Sequence, residues 1–205
     1  MEWYRIQEIN YVKFVDCLSD IYKVLEKRNK SECIEDVFLK STLIGFSSLS
    51  DNQWRLLERA RKSQKALEMT MGTFHQRLAG CFDGWESLPA GGKGTGLDVR
   101  KKDDSEIMEW KNKHNTMNAD SAKSVIQKLT RQISNGKRAF LVMVNCGRTI
   151  PRFNAPLEIT VMNGMQAYEY LAGRSSFFDD LNLTLSHVFA NYKTYAELKA
   201  TVETL

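Results

Sequence analysis

The chain has 205 residues, with 29 Lys and Arg against 25 Asp and Glu, a formal charge of +4. Its 42% hydrophobic and 26% charged residues are the proportions of a globular protein with enough chain for a sizeable core, which excludes wholesale disorder and collagen-like repetition. No apolar run approaches the roughly 18 residues of a membrane-spanning helix, and the start, Met1-Glu2-Trp3-Tyr4-Arg5, lacks the regions of a secretory leader, so a cytoplasmic location is expected.

The first 88 residues contain no proline, and apolar residues recur there at helical spacing: Ile6, Ile9 and Val12, then Leu18, Ile21 and Leu25. Ser31 is placed to cap a second helix with Ile34, Val37 and Phe38 on one side. Asp51 is placed to cap a third, with Trp54, Leu57 and Leu67 as its buried stripe, and Phe74 to Cys81 extends or restarts it after Gly72. Pro89 to Gly96 is a turn-rich loop that lacks the G-K-[ST] ending of a phosphate-binding P-loop and follows no clear strand. Two short β-type runs come next, Gly96–Arg100 and Ile107–Lys111, with Lys101-Lys102-Asp103-Asp104-Ser105 as a hairpin turn between them. A helix starts at Asp120 or Ser121, turns Val125, Ile126, Leu129 and Ile133 inward, and stops at Asn135-Gly136. Ala139 to Val144 is wholly apolar, as in a central strand covered on both faces. Leu157 to Val161 is one more strand, and Tyr168–Leu171 and Leu183–Leu205 are mostly helical. The order, helices and then β-β-α-β-β-α, predicts an α/β (α+β) protein with a central mixed sheet flanked by helices. A helical N-terminal region over 1–70 would precede a core over 71–205, the two forming one compact domain.

Charge is uneven along this order. Residues 1–90 are neutral, residues 91–152 carry 13 basic and 6 acidic side chains, and residues 153–205 carry 3 and 6. A basic block of net +7 is the footprint of a polyanion-binding face or of a solvated loop. Cys17, Cys33, Cys81 and Cys146 are scattered, without the close pairs of a zinc site, and read as reduced thiols. His75, His114 and His187 form no metal-binding spacing, and no G-x-S-x-G supports a serine triad.

The block holds one constellation with chemistry in it. On an extended strand Glu109 and Lys111 project to the same face, and a short hairpin brings Asp98 alongside Glu109. Two converging carboxylates can hold Mg²⁺, which prefers hard oxygen ligands and keeps several waters. An ammonium beside them can position or help to deprotonate one of those waters, and the ion offsets charge on a phosphate under attack. That is sufficient apparatus for hydrolysing a phosphodiester. The same E-x-K string at Glu197-Leu-Lys199 lies in an apparently helical tail and reads there as surface charge.

The string Met108-Glu-Trp-Lys-Asn-Lys-His-Asn-Thr-Met-Asn118 resembles the E-x-K-N-K-H-N-T segment of a group of type II restriction endonucleases in the PD-(D/E)XK superfamily that cuts GGNCC or GGWCC sites. Gly72-Thr-Phe-His-Gln76, the Asp83-Gly-Trp85 turn, Gly96-Leu-Asp98 and Met165–Gly173 are similar to the same group in the same order, from about residue 70 to 190, with no counterpart for the first 60 residues. The resemblance implies a PD-(D/E)XK nuclease core, with Asp98 and Glu109 as Mg²⁺ ligands and Lys111 as the catalytic lysine. Leu97 stands where the superfamily usually has proline. Gln76 or Glu68, on the preceding helix, is an accessory ligand candidate. It further implies a bacterial or archaeal enzyme cutting double-stranded DNA to 5′-phosphates, a twofold homodimer matching a palindrome, and a cognate DNA methyltransferase as functional partner. The N-terminal helices would serve dimerisation or clamp the duplex. Guanine is read in the major groove by Arg or Lys, so Lys113, His114 and Asn115 after the catalytic strand, and Arg148 and Arg152 after the apolar strand, are DNA-binding candidates. Lys123, Lys128 and Arg131 are expected to face phosphates or solvent. The competing expectations are a non-catalytic DNA-binding module on a nuclease fold and a structure-specific repair nuclease.

Overall fold

The computed structural model of the chain describes residues 2–27, 36–89, 96–113, 119–146 and 156–204. Helix α1 spans Tyr11–Lys27, α2 Val37–Ser47 and α3 Asp51–Ala79. Tyr11, Phe14, Val15, Leu18, Ile21 and Tyr22 form the buried stripe of α1. Ile6 and Ile9 are buried too, but they lie in turns ahead of the helix, and Val12 is exposed. The Ile6–Ile9–Val12 spacing thus mimicked a helix that starts only at Tyr11.

Helix α2 starts where the Asp36 side chain accepts from Leu39 N, and Val37 and Phe38 are exposed instead of buried. Ser31 and Ile34 lie outside the described residues. Ser50, one residue before the expected Asp51, caps α3 in a capping box with Gln53. Asp51 occupies the first turn instead, where its charge suits the positive helix end. Trp54 is buried and Leu67 packs against the core, whereas Leu57 is exposed. The helix passes unbroken through Gly72 for 29 residues. One interior glycine costs about 1 kcal/mol, less than burying Phe74 and Leu78 just beyond it contributes at about 2 kcal/mol each.

Among the described residues the sheet has five strands in the order of the chain, β1 (Trp85–Ser87), β2 (Val99–Lys101), β3 (Glu106–Lys113), β4 (Arg138–Asn145) and β5 (Ile159–Asn163). β1–β2 and β2–β3 are antiparallel, while β3–β4 and β4–β5 are parallel. Helix α4 (Ala119–Ser134) makes the first parallel crossover and stops, as its sequence indicates, at Gly136 with φ +83°. Helices α5 (Gly164–Ala172), α6 (Phe177–Asn191) and α7 (Tyr195–Glu203) follow, so the expected C-terminal helix is two, and α6 begins six residues earlier than Leu183. Glu197 of the second E-x-K string completes the capping box of α7 with Thr194, so it is more than surface charge.

β4 is an interior strand, between β3 and β5, covered on both faces. Phe140, Val142 and Val144 enter a large core shared with Tyr4, Ile6, α1, α3, α5, α6 and α7, while Ala139, Leu141 and Met143 meet Val125 and Leu129 of α4 on the other face. The first turns and α1 thus share one core with the sheet, and α3 runs across residue 70 without a break. The architecture is α+β, a five-stranded mixed sheet flanked by helices. Cys17 and Cys81 are thiols whose sulfurs lie 3.5 Å apart. No helix among the described residues is long and apolar enough to cross a membrane.

Candidate active site

The β2–β3 hairpin does what the sequence requires of it. Asp103 Oδ1 accepts from Ser105 N and Oγ, and Asp104 takes φ +61°, so the Asp-Asp-Ser turn is held by its own side chains. The register sets Val99 against Met108. One step further, Asp98 lies opposite Glu109, where facing side chains stand about 5 Å apart at Cβ. Asp98 is fixed on three sides: its N–H donates to Met108 O (3.1 Å), its carbonyl accepts from Leu88 N (2.8 Å), and Oδ2 accepts from Trp110 N (2.7 Å).

Glu109 is 4% exposed. Lys111 Nζ donates to its Oε1 at 2.5 Å, as period-2 projection from one strand face requires. Oε2 is buried, and among the described residues no donor reaches it with hydrogen-bond geometry. Burial, and after it the charge of Glu109, pushes the Asp98 carboxyl up to about 7, against the opposing pull of the Trp110 N–H and the Lys111 ammonium. A buried anionic oxygen with no partner beside a carboxyl reluctant to ionise is a pair short of positive charge.

These features fit a divalent cation. Mg²⁺ is commonly held by one or two carboxylates, its other positions going to water and substrate phosphate. Among the described residues no three His, Cys, Asp or Glu side chains converge as a metal-binding group. Glu68 does not stand in one such group with Asp98 and Glu109 in this structure. Its Oε1 instead accepts from Lys113 Nζ (2.6 Å) and Gln64 Nε2 (3.1 Å), and Lys113 holds its carboxyl below the usual range. Gln76 sits half-buried in α3, its carbonyl accepting from Gly80 N.

Lys113, the last residue of β3, is thus placed two positions beyond Lys111 and engaged by Glu68. His114, Asn115, Arg148 and Arg152 lie outside the described residues. Lys128 Nζ donates to Gly96 O, and Lys123 and Arg131 are exposed on α4. Two residues missed from sequence complete the strand ends: Asn112 Oδ1 accepts from Asn145 Nδ2 (2.8 Å), and Asn112 Nδ2 donates to Glu68 O (2.9 Å). The signal for Asn112 was its place inside the E-x-K-N-K string; for Asn145 there was none.

Three of the strings that resemble the restriction enzymes meet behind β3. His75 Nδ1 and Tyr168 OH are 2.8 Å apart, and the Tyr168 ring packs 5.2 Å from that of Trp110. Burial lowers His75 to about 4, so near neutral pH it is an uncharged partner of Tyr168.

The family model of the Eco47II restriction endonuclease matches residues 6–193. The type II restriction enzyme Eco47II of Escherichia coli is 26% identical over 207 residues, 87% of this chain and 85% of its own length. The type II restriction enzyme Sau96I of Staphylococcus aureus is 29% identical over 166 residues, 71% of this chain and 62% of its own length. No solved structure matches significantly. The family match takes in the N-terminal helices, for which the short motifs alone have no counterpart.

Proposed function

Since the chain belongs to the Eco47II restriction endonuclease family and is a type II, site-specific deoxyribonuclease, we propose that it cuts double-stranded DNA at a short G/C-rich palindrome of the GGNCC kind, using Asp98, Glu109 and Lys111 of a PD-(D/E)XK nuclease core. The observation that carries the reading is the buried Oε2 of Glu109, which has no hydrogen-bond partner among the described residues, on a residue set opposite Asp98 across the hairpin and paired with Lys111.

Asp98 and Glu109 would hold Mg²⁺, which when bound offsets charge developing on the phosphate and lowers the pKa of a bound water. The Trp110 N–H keeps the Asp98 carboxylate turned to its neighbour. The Lys111 ammonium, fixed by Glu109, orients the attacking water, and its charge favours release of that water's proton to solvent. Water oxygen bonds to phosphorus in line as the bond from phosphorus to the 3′ oxygen breaks. The leaving oxygen takes up a proton, giving 5′-phosphate and 3′-hydroxyl ends. Lys113, His114, Asn115, Arg148 and Arg152 contact the duplex. A palindromic site cut on both strands calls for a twofold homodimer, with residues 1–70 as dimer surface or clamp against the catalytic core of 71–205. The host is a bacterium or archaeon, the compartment its cytoplasm, and a cognate methyltransferase shields the same site.

The test is digestion of a sequenced plasmid with the protein and Mg²⁺. Discrete fragments whose ends share one GGNCC-type sequence are expected. An uncut plasmid across a range of divalent metals, or preferential cutting of branched DNA, would overturn the reading.

A further inference from the structure

The string that follows Lys111 is longer than the catalytic set requires. Asn112 is engaged at both ends of its amide: Nδ2 donates to Glu68 O at 2.9 Å, and Oδ1 accepts from Asn145 Nδ2 at 2.8 Å. The orientation is forced, because a backbone carbonyl only accepts, so the amide nitrogen must face Glu68 and leave its oxygen for Asn145. One side chain thereby ties α3, β3 and β4 together at the C-terminal ends of the two strands.

Glu68 is held twice by neighbouring strand residues, through its carbonyl by Asn112 and through its carboxylate by Lys113 at 2.6 Å. The distance of α3 from the strand end therefore sets where the Lys113 ammonium stands. Lys113 lies two residues beyond Lys111, about 7 Å further along the strand, within reach of a phosphate next to the one being cut. The Lys113–Glu68 pair is partly open to solvent, with side-chain exposures of 40% and 37%, so a phosphate oxygen can exchange for the carboxylate.

We propose that Asn112 is a positioning residue for DNA binding: by bridging Glu68 and Asn145 it fixes the place of Lys113, which Glu68 occupies until a DNA phosphate replaces it. The inference rests on the proposed nuclease site. It assigns opposite effects to two residues of one network. Loss of Asn112 loosens the placement and weakens binding, whereas loss of the Glu68 charge removes a competitor and strengthens it.

The experiment measures kcat and KM on a labelled GGNCC duplex with Mg²⁺, and Kd on the same duplex by fluorescence anisotropy without divalent metal. Asn112→Leu should raise KM and Kd about tenfold, the loss expected of two neutral hydrogen bonds, with kcat within about twofold. Asn112→Gln should recover part of the loss, and Glu68→Gln should lower Kd. Asn145→Ala, at an exposed position, loses one of the two bonds and should raise KM about threefold; it carries the test if Asn112→Leu does not fold. A fall in kcat at unchanged KM, weaker binding in both Asn112→Leu and Glu68→Gln, or no change in any variant would overturn the proposal. If the wild type binds the duplex without cutting it, the catalytic reading fails while the Kd comparison still decides the role of Asn112.

Discussion

Asp98 owes its proton affinity to where it stands: burial and the facing charge of Glu109 push its carboxyl up to about 7, and one N–H from Trp110 does not offset them. A carboxyl whose folded pKa lies above its unfolded value contributes stability below the unfolded value, and that contribution is lost as pH rises through the folded one. The metal-free protein should therefore lose stability from this group between about pH 4 and pH 7. Asp98→Asn keeps the acceptor for Trp110 N–H and removes the charge. Calorimetry should show it melting a few degrees above the wild type at pH 8 and level with it at pH 4.5. Mg²⁺ should raise the melting temperature of the wild type at pH 8 and leave the variant nearly unmoved. A wild type that melts higher than Asp98→Asn at pH 8 without metal would contradict this account of the pair. Asp98, Glu109 and Lys111 were legible in the sequence because strand period and a five-residue turn fix their placement locally. The Glu68–Lys113 and Asn112–Asn145 contacts were not, since they join residues 45 and 33 positions apart, and only the packing of α3 and β4 on β3 brings them together.

At the scale of elements, the hairpin that carries Asp98 is braced from below. A Cβ on Gly80, at the end of α3, would lie 2.3 Å from Ser87 N of β1, and β1 pairs with β2 immediately after Asp98. Gly80→Ala must push β1 off its seat. It should lower the urea midpoint by the equivalent of about 1–3 kcal/mol at unchanged m and slow cleavage as well. An unchanged midpoint would show that β1 yields freely. β1 itself was not legible: three residues, two of them Glu and Ser, carry no alternation to read. β4 and α4 were, because six consecutive residues under cover on both faces, Ala139 to Val144, and a strict inward stripe leave one solution each. The N-terminal boundaries failed for a common reason. Ile6 and Ile9 are buried without being helical, and Val37 and Phe38 are helical without being buried, so apolar spacing was a faulty guide to both.

Over the whole molecule, the described residues of the basic block fall into more than one group. Around the β2–β3 turn, Arg100 pairs with Glu86, Lys101 and Arg138 with Glu106, and Lys137 with Asp104. Glu106 opens β3 and Lys113 closes it, about 20 Å away along an eight-residue strand. The turn's basic residues therefore brace the fold with their acids, and Lys111 and Lys113 stand toward the opposite end, beyond the two carboxylates. In the proposed mechanism Glu109 and Lys111 perform hydrolysis and are dispensable for holding DNA. The most direct test compares cleavage and binding of one GGNCC duplex by the wild type, Glu109→Ala and Lys111→Ala. Each substitution should lower the single-turnover cleavage rate by about 10³-fold or more while Kd stays within about threefold of the wild type. Cleavage within about tenfold of the wild type in either variant would contradict the mechanism.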